Sequence, residues 1–189
     1  MPFSKPLRDL ASLSVAEVAQ LASDQKLPPV DQWHPAHCGH SGMTIARNGE
    51  WIHEGSVIRR PELVRLFSRI LRREPDGRYV LVTPGEMLDI DVEDTPFIAV
   101  ELKNEGEGRA RTLAFRLNTG DPVVAGADHP IRVSADQENP HPTLGVRPGL
   151  EARIARPVYY ELAALALDED GNPPGLWSQN TFFALDGSQ

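Results

Sequence analysis

Apolar residues fall into many short runs separated by polar turns, and only a few stretches have helical spacing. Five apolar residues after Pro61 recur at intervals that place them on one helix face, which predicts a helix ending at the turn 74–77. They are Leu63, Leu66, Phe67, Ile70 and Leu71. A second helix is predicted from Pro157 to the turn 168–171. We expect the first helix to pack this face against a core.

A shorter helix is predicted near the N-terminus. Ser14 and Glu17 have the spacing of a capping box, in which each side chain bonds the other residue's backbone N–H. Val18, Leu21 and Ala22 supply a short apolar stripe behind it. We expect this segment to pack against the main body.

Strand-like runs account for most of the remaining apolar residues. Asn48-Gly49 separates two such runs and is a strong hairpin signal, since both residue types tolerate the positive φ of a type I′ turn. Further strands are predicted at 79–82, 97–102, 113–117, 123–124, 131–133, 144–146 and 181–185. Strands arranged as hairpins, with few helices, predict the α+β class.

The two main helices begin with the same short pattern. Arg60-Pro61 and Arg156-Pro157 each have a Leu five residues after the Pro, and an Asp-Gly turn closes each unit. We interpret this echo as two halves with a repeated hairpin–helix–strand motif and a ligand site between them. The predicted domains are an N-terminal helical segment (1–30), a small α+β domain (31–85) and a β-rich domain ending in a helix and a strand (86–189). We expect the last to contain an antiparallel sheet.

Charge limits the classes of partner. The 189 residues carry a net charge of −8, and residues 86–189 hold eight Arg or Lys against eighteen Asp or Glu. We do not expect nucleic-acid binding, because it requires a basic surface. The single cysteine excludes an intrachain disulfide. No signal peptide or membrane span is apparent, and we expect a cytoplasmic protein with no membrane partner.

The helix starts are candidate anion sites. Arginine cannot accept the hydrogen bonds that a Ser or Asp cap would accept, so Arg60 and Arg156 leave exposed amides beside a guanidinium. The alternative is that acids such as Glu54, Glu86 or Glu151 already pair with these arginines. Arg147 is a further candidate cation.

Other candidate contacts are aromatic or polar. Trp51 and Trp177 could stack on a planar ring, although such residues are more often core, and Trp51 is expected to be partly exposed after its hairpin tip. Thr83 and Glu86, at the predicted junction between the halves, could add polar contacts. No glycine-rich phosphate loop occurs.

His34, His37, Cys38 and His40 are the residues that most resemble a metal site or a nucleophile with its base. Their spacing does not match the usual zinc loops, which pair two ligands on each of two elements, so we predict neither a metal nor a cofactor. A hydrolase centred on His37, Cys38 and His40 is the alternative interpretation. A protein-interaction module is another.

Many short motifs resemble one family. They include Asn48-Gly49-Glu50-Trp51, Asp76-Gly77-Arg78-Tyr79, Leu81-Val82-Thr83-Pro84, Val146-Arg147-Pro148-Gly149-Leu150 and Gly175-Leu176-Trp177-Ser178. Over roughly residues 31–186 the chain resembles the bacterial domain of unknown function family 1285. The resemblance implies a duplicated α/β motif, a C-terminal half loosely like a pleckstrin-homology barrel, and a signalling role. It also implies an interface site for a nucleotide-like ligand. It supplies no catalytic residues.

Together these observations predict a regulatory or signalling protein that binds a small anionic ligand at the domain interface. A nucleotide is one candidate for that ligand. Neither a reaction nor a protein partner can be assigned from the sequence.

Overall fold

The computed structural model describes residues 14, 16–18, 20, 24, 27–134, 140–169, 171 and 173–187. This part of the chain is mostly β-structure with few helices, in two six-stranded mixed sheets and one two-stranded sheet. The expected arrangement in two halves fits this architecture.

The first sheet is built from two three-stranded meanders. Its strands are β1 (His37–Ile45), β2 (Trp51–His53), β3 (Ser56–Val57), β4 (Leu71–Arg73), β5 (Tyr79–Val82) and β6 (Glu86–Val92), in the order β3-β2-β1-β6-β5-β4. The central pair, β1 and β6, is parallel, and the other neighbours are antiparallel. The expected domain boundary between residues 85 and 86 falls in the β5–β6 turn and would separate β6 from the rest of this sheet. Along the chain, the last strand of the sheet is β6, which ends at Val92.

The second sheet repeats this arrangement. Its strands are β7 (Phe97–Glu105), β8 (Thr112–Leu117), β9 (Pro122–Val124), β10 (Ile131–Arg132), β11 (Thr143–Arg147) and β12 (Leu150–Ile154), in the order β10-β11-β12-β7-β8-β9. The expectation of a wholly antiparallel C-terminal half is wrong for one pair. β7 and β12 are parallel. They are the first strand of one meander and the last strand of the other, and they lie side by side at the centre of the sheet.

The two main helices occupy different places in these sheets. Helix α1 (Pro61–Arg69) joins β3 to β4 within the first sheet, whereas helix α2 (Arg156–Leu167) follows the last strand of the second. The two sheets are therefore related by their strand order. The two Arg-Pro sequences are not at equivalent positions in these sheets, because one lies between β3 and β4 and the other follows β12.

Helix α1 is shorter than its pattern predicted. It ends at Arg69, because Leu71–Arg73 pairs with β5 as a strand and places Leu71 opposite Leu81. Phe67 and Val64 pack against the core, but Leu66 is 56% exposed, so the prediction that Leu66 faces a core is wrong.

Helix α2 ends at Leu167, directly before the predicted turn. Val158, Leu162 and Ala166, spaced four residues apart, are buried on its inner face. The chain then forms β13 (Gly175–Ser178) and β14 (Thr181–Ala184), an antiparallel pair forming a separate sheet. The predicted closing strand is therefore one strand of a hairpin.

The N-terminal segment forms the predicted cap. The Ser14 backbone N–H donates to Glu17 at 2.7 Å, and the Glu17 N–H donates to the Ser14 hydroxyl at 3.2 Å. Val18 is fully buried against Ala114 and Val124. Leu21 and Ala22 lie outside the described residues. Short 3₁₀ turns at Val30–Gln32 and Gly108–Ala110 complete the regular structure.

Candidate functional site

Arg147 joins the second half of the molecule to the first. It ends β11, directly before the Pro148-Gly149 turn, where Gly149 has a φ of 73°. Its Nη2 donates to the backbone carbonyl of Ser68 at 2.6 Å, and its Nη1 donates to that of Arg69 at 3.3 Å. Because the last carbonyls of a helix lack partners within it, this arginine satisfies the end of α1.

Within the part of the chain that the structure describes, the guanidinium of Arg147 has no carboxylate partner. Among the described residues it forms no ion pair, and its buried Nε–H has no hydrogen-bond acceptor. Its carbon lies 5.8 Å from the ring centre of Phe97. Burial lowers the pKa of Arg147 from its usual value, while the charges of Asp121 and Asp31 oppose that shift.

The arginines near Arg147 have one close carboxylate among the described residues. Asp121, on the turn before β9, lies 2.9 Å from Nη2 of Arg65 and 3.5 Å from Nη2 of Arg69. It also acts on Arg147 at longer range, as does Asp31. Arg65 and Arg69 therefore have an ion pair, whereas Arg147 has only these longer-range interactions. An anion near Arg147 would provide that guanidinium with a close opposite charge.

A cavity of about 590 Å³ opens beside Arg147, within the range of about 300–1,000 Å³ typical of small-molecule sites. We name it the Arg147 cavity; its lining includes Phe97, Leu117, Asp121, Val123, Ala127, Asp128, Val146 and Arg147. A neighbouring cavity of about 510 Å³ shares Asp128, His129, Val146 and Arg147 with it and extends to Arg73 on β4. Of the predicted site residues, Arg147 is therefore the one that lines this pair of cavities.

Arg60 and Arg156 are exposed, and neither helix start has a side-chain cap. Within the described ranges, neither arginine forms an ion pair, so Glu54, Glu86 and Glu151 do not neutralise them through such contacts. Neither arginine lines the Arg147 cavity, and no described contact brings the two together. At α1, moreover, Pro61 lacks an N–H and Leu63 donates to the Arg60 carbonyl at 3.1 Å, which leaves few amides for an anion.

Trp51 is 1% exposed, so the expectation that it would be partly exposed is wrong. It packs on Phe67 with ring centres 6.4 Å apart. Trp51 also lines a cleft of about 460 Å³ between the β1–β2 hairpin, the start of α1 and the turn at Asn118 and Thr119. Its Nε1 and the Thr119 Oγ1 are buried without hydrogen-bond partners in the described structure. Two polar groups at this second interface cleft are therefore unsatisfied.

Trp177 is half-buried on β13, distant in sequence from the other candidates. The guanidinium carbon of Arg109 lies 4.5 Å from the centre of its ring, and Phe182 packs at 5.3 Å. This cation–π contact already covers one face of the indole. Trp177 lines a separate cavity with Arg111, Glu169 and neighbouring residues.

Thr83 and Glu86 form the hairpin turn between β5 and β6. The Thr83 hydroxyl accepts a hydrogen bond from the Glu86 backbone N–H at 3.1 Å, and the Thr83 N–H donates to the Glu86 carbonyl at 2.9 Å. These bonds give both residues a local structural role within the first sheet. They do not lie at the junction of the two halves.

The histidine and cysteine cluster lies at the start of the first sheet. His34 precedes β1, and His37, Cys38 and His40 are exposed residues of β1 itself. Successive strand residues point to opposite faces, so His37 and Cys38 diverge. His40 Nε2 lies 3.5 Å from Asp91. No group of three potential metal ligands occurs among the residues that the structure describes.

The interface residues that sequence reasoning missed are Asp121, Arg65 and Arg69. Arg65 and Arg69 are four residues apart and so lie on one helix face, but this spacing does not show what the face contacts. The sequence Asn118-Thr119-Gly120-Asp121 is typical of a turn, but it does not specify which helix the turn approaches.

Two mixed sheets of identical strand order, joined across Arg147 and Asp121, define a two-halved protein with a cavity in its second half, beside Arg147. Models of the DUF1285 N-terminal and C-terminal domains match residues 28–95 and 96–185. A crystal structure of a DUF1285 family protein from Silicibacter pomeroyi DSS-3 is similar, with 43% identity and a TM-score of 0.78, covering 92% of this chain and 94% of that one. This chain belongs to the DUF1285 family.

A crystal structure of another DUF1285 family protein, from Shewanella baltica OS155, has the same fold. Its TM-score is 0.52 at 22% identity, with 66% of this chain and 92% of that chain covered. No curated protein matches this chain. Within the described residues, no helix combines the length and apolar character that a membrane crossing would need.

Proposed function

We propose that this protein binds a small anionic ligand at the interface of its two halves and that binding has a regulatory or signalling role in the cytoplasm. The observation that carries the proposal is that Arg147, which bonds to the first half of the molecule, forms no ion pair with a carboxylate among the described residues. Its guanidinium lines a cavity of about 590 Å³, and its Nε–H is buried without an acceptor. A buried donor without an acceptor costs about 1–3 kcal/mol, so this guanidinium is incompletely satisfied in the unliganded protein.

The regulatory part of the proposal follows from where Arg147 acts. Its two Nη donors bind the carbonyls that end α1, so this one side chain contacts both the cavity and the first half of the molecule. A ligand that binds Arg147 changes how firmly α1 is held. Ligands shift such an equilibrium only through different affinities for the two states, and this contact supplies that difference.

The finer architecture implied by the family resemblance also belongs to this proposal. In the C-terminal half, the β11–β12 hairpin is followed by α2 and then β13, an order compatible with a hairpin–helix–strand unit. A sheet followed by a packed helix is also compatible with a loose likeness to a pleckstrin-homology barrel. A nucleotide-like ligand is a candidate occupant of the interface on the same basis.

The proposal is tested by a thermal-shift screen of nucleotides, inorganic phosphate and organic carboxylates, with calorimetry on every hit. A ligand that binds only the folded protein stabilises it by about 2.7 kcal/mol at a concentration of 100 Kd. Arg147→Lys should weaken a hit at least tenfold, because lysine lacks the planar fork of donors. Arg116→Lys is the matched control, since Arg116 already pairs with Glu101 at 2.6 Å.

Failure of every anion to raise the melting temperature would contradict the proposal, as would equal affinity of the wild type and Arg147→Lys. Arg60→Ala and Arg156→Ala, measured in the same titrations, test the two helix starts separately. Because both side chains are exposed, these substitutions should leave the fold intact.

A further inference from the structure

The Arg147 cavity is apolar over much of its wall. Phe97, Leu117, Val123 and Val146 line it, and each is at least 92% buried. They belong to the main hydrophobic core of the protein, so the bottom of the cavity is part of that core. A ligand that fills this space removes apolar surface from water, which stabilises the complex by about 25 cal/mol per Å². The wall therefore favours a ligand with a sizeable apolar body.

The charges of the lining favour a single negative charge on that ligand. Arg147 provides a guanidinium that lacks a carboxylate partner, but Asp121 and the exposed Asp128 line the same cavity. Asp121 is neutralised by Arg65 and Arg69, whereas no ion pair of Asp128 occurs among the described residues. A phosphate monoester carries almost two charges at neutral pH. Its repulsion by Asp128 is correspondingly larger than that of a carboxylate.

We propose that the ligand of the Arg147 cavity is a monocarboxylate with an apolar body, an aliphatic or aromatic acid. Its carboxylate pairs with the guanidinium of Arg147, and its body lies against Phe97 and Val146. This inference rests on the proposed function and names the ligand class for that site. The carboxylate supplies the ion pair that Arg147 lacks among the described residues.

The test compares four probes by calorimetry on the full chain: decanoate, decanol, AMP and inorganic phosphate. Decanoate and decanol have chains of the same length and differ in the charged head group. Decanoate should bind at least tenfold more tightly than decanol, and neither AMP nor phosphate should displace it at equal concentration. Asp128→Asn should raise the affinity for AMP by a larger factor than it raises the affinity for decanoate. The substitution removes repulsion in proportion to the ligand's charge, and AMP carries the larger charge.

Ala127→Trp locates the site without altering Arg147. Ala127 is exposed and lines the cavity, so a large side chain there narrows the space without disturbing the core. Affinity for decanoate should fall at least tenfold in Ala127→Trp, whereas Arg60→Ala should leave it unchanged. Equal affinity for decanoate and decanol, or an unchanged affinity in Ala127→Trp, would overturn the inference.

The outcomes also separate this inference from the proposed function. If AMP or phosphate binds in an Arg147-dependent manner and decanoate does not, the ligand class is wrong and the anion site stands. If no anion binds, both the inference and the proposed function fail.

Discussion

The carboxylate of Asp121 accepts a hydrogen bond from Nε of Arg65 at 3.0 Å, and this bond joins the turn before β9 to helix α1. The same Oδ1 lies 3.5 Å from Nη2 of Arg69. The Asp121 side chain is only 12% exposed, so water screens these contacts poorly. With the bonds from Arg147 to the end of α1, this pair makes α1 a polar link between the two halves.

Asp121→Asn should lower the free energy of unfolding by about 2–3 kcal/mol. Removal of one partner from a fully buried ion pair costs about 3–5 kcal/mol, and the arginines here are partly exposed, which reduces the penalty. The substitution leaves Arg65 and Arg69 without the carboxylate that pairs with both, and it removes a charge that acts on Arg147 at longer range. Urea unfolding monitored by tryptophan fluorescence measures the change.

Asp76→Asn is the control for the loss of an aspartate charge. Asp76 pairs with Arg78 at 2.8 Å, but both side chains are more than half exposed. Exposed ion pairs contribute little, so the unfolding midpoint of this variant should match that of the wild type. A loss of stability in Asp121→Asn no greater than in Asp76→Asn would contradict the role assigned to Asp121.

Gly49→Ala should be more destabilising than Gly55→Ala. Both glycines have φ near 80°, so alanine is strained at each by about 1 kcal/mol. A Cβ at Gly49 would lie 2.6 Å from Nδ2 of Asn118 and 2.9 Å from Cδ1 of Ile98 in the second half, whereas a Cβ at Gly55 meets no atom within 4 Å. The close contacts at Gly49 should add about 1–3 kcal/mol to the loss of stability in Gly49→Ala.

Chemical denaturation of both variants measures this difference. Because Asn118 also donates to the Gly49 carbonyl at 3.2 Å, a displaced hairpin would break a bond between the halves. Equal losses of stability in the two variants would show that the Gly49 turn does not constrain the interface.

Thr119→Val should leave the unliganded protein as stable as the wild type or more stable by up to about 1 kcal/mol. The Oγ1 of Thr119 is buried without a partner, and a methyl group of similar shape removes that cost. Thr95→Val is the control. The Thr95 hydroxyl donates to the Phe97 carbonyl at 2.9 Å and accepts from the Arg153 N–H at 3.3 Å, and the substitution removes both bonds. Thermal unfolding should therefore show a lower melting temperature for Thr95→Val alone.

Local patterns predicted the elements that depend on local interactions. The capping box at Ser14, the hairpin at Gly49 and the end of α2 at Leu167 are all confirmed. The type I′ turn was wrong in detail: Gly49 has a positive φ and Asn48 does not. Each of these features is decided by residues within a few positions of one another.

Features that depend on distant residues could not be predicted in the same way. The apolar pattern of α1 continues to Leu71, but Leu71 lies opposite Leu81 in the β4–β5 pair and belongs to strand β4. Trp51 became buried because Phe67 and the core surround it, which the hairpin sequence does not indicate. Arg147 was chosen from the sequence as a candidate cation, but its partners at Ser68 and Arg69 lie almost eighty residues away. The aspartate that balances the interface was not identified, because its turn gives no sign of the helix it meets.

Ser178→Ala should destabilise the protein by about 2–3 kcal/mol. Ser178 is fully buried on β13; its hydroxyl donates to the Ala125 carbonyl at 2.7 Å and accepts from the Leu113 N–H at 2.9 Å. Alanine leaves both backbone groups without this partner, and each unsatisfied buried group costs about 1–3 kcal/mol.

The control is Ser134→Ala, which removes one exposed bond from the His141 N–H. Guanidinium denaturation should distinguish the two variants, and hydrogen exchange should show the amide of Leu113 losing protection in Ser178→Ala alone. Unchanged protection there would mean that β13 is held against the second sheet by apolar packing and not by this hydroxyl.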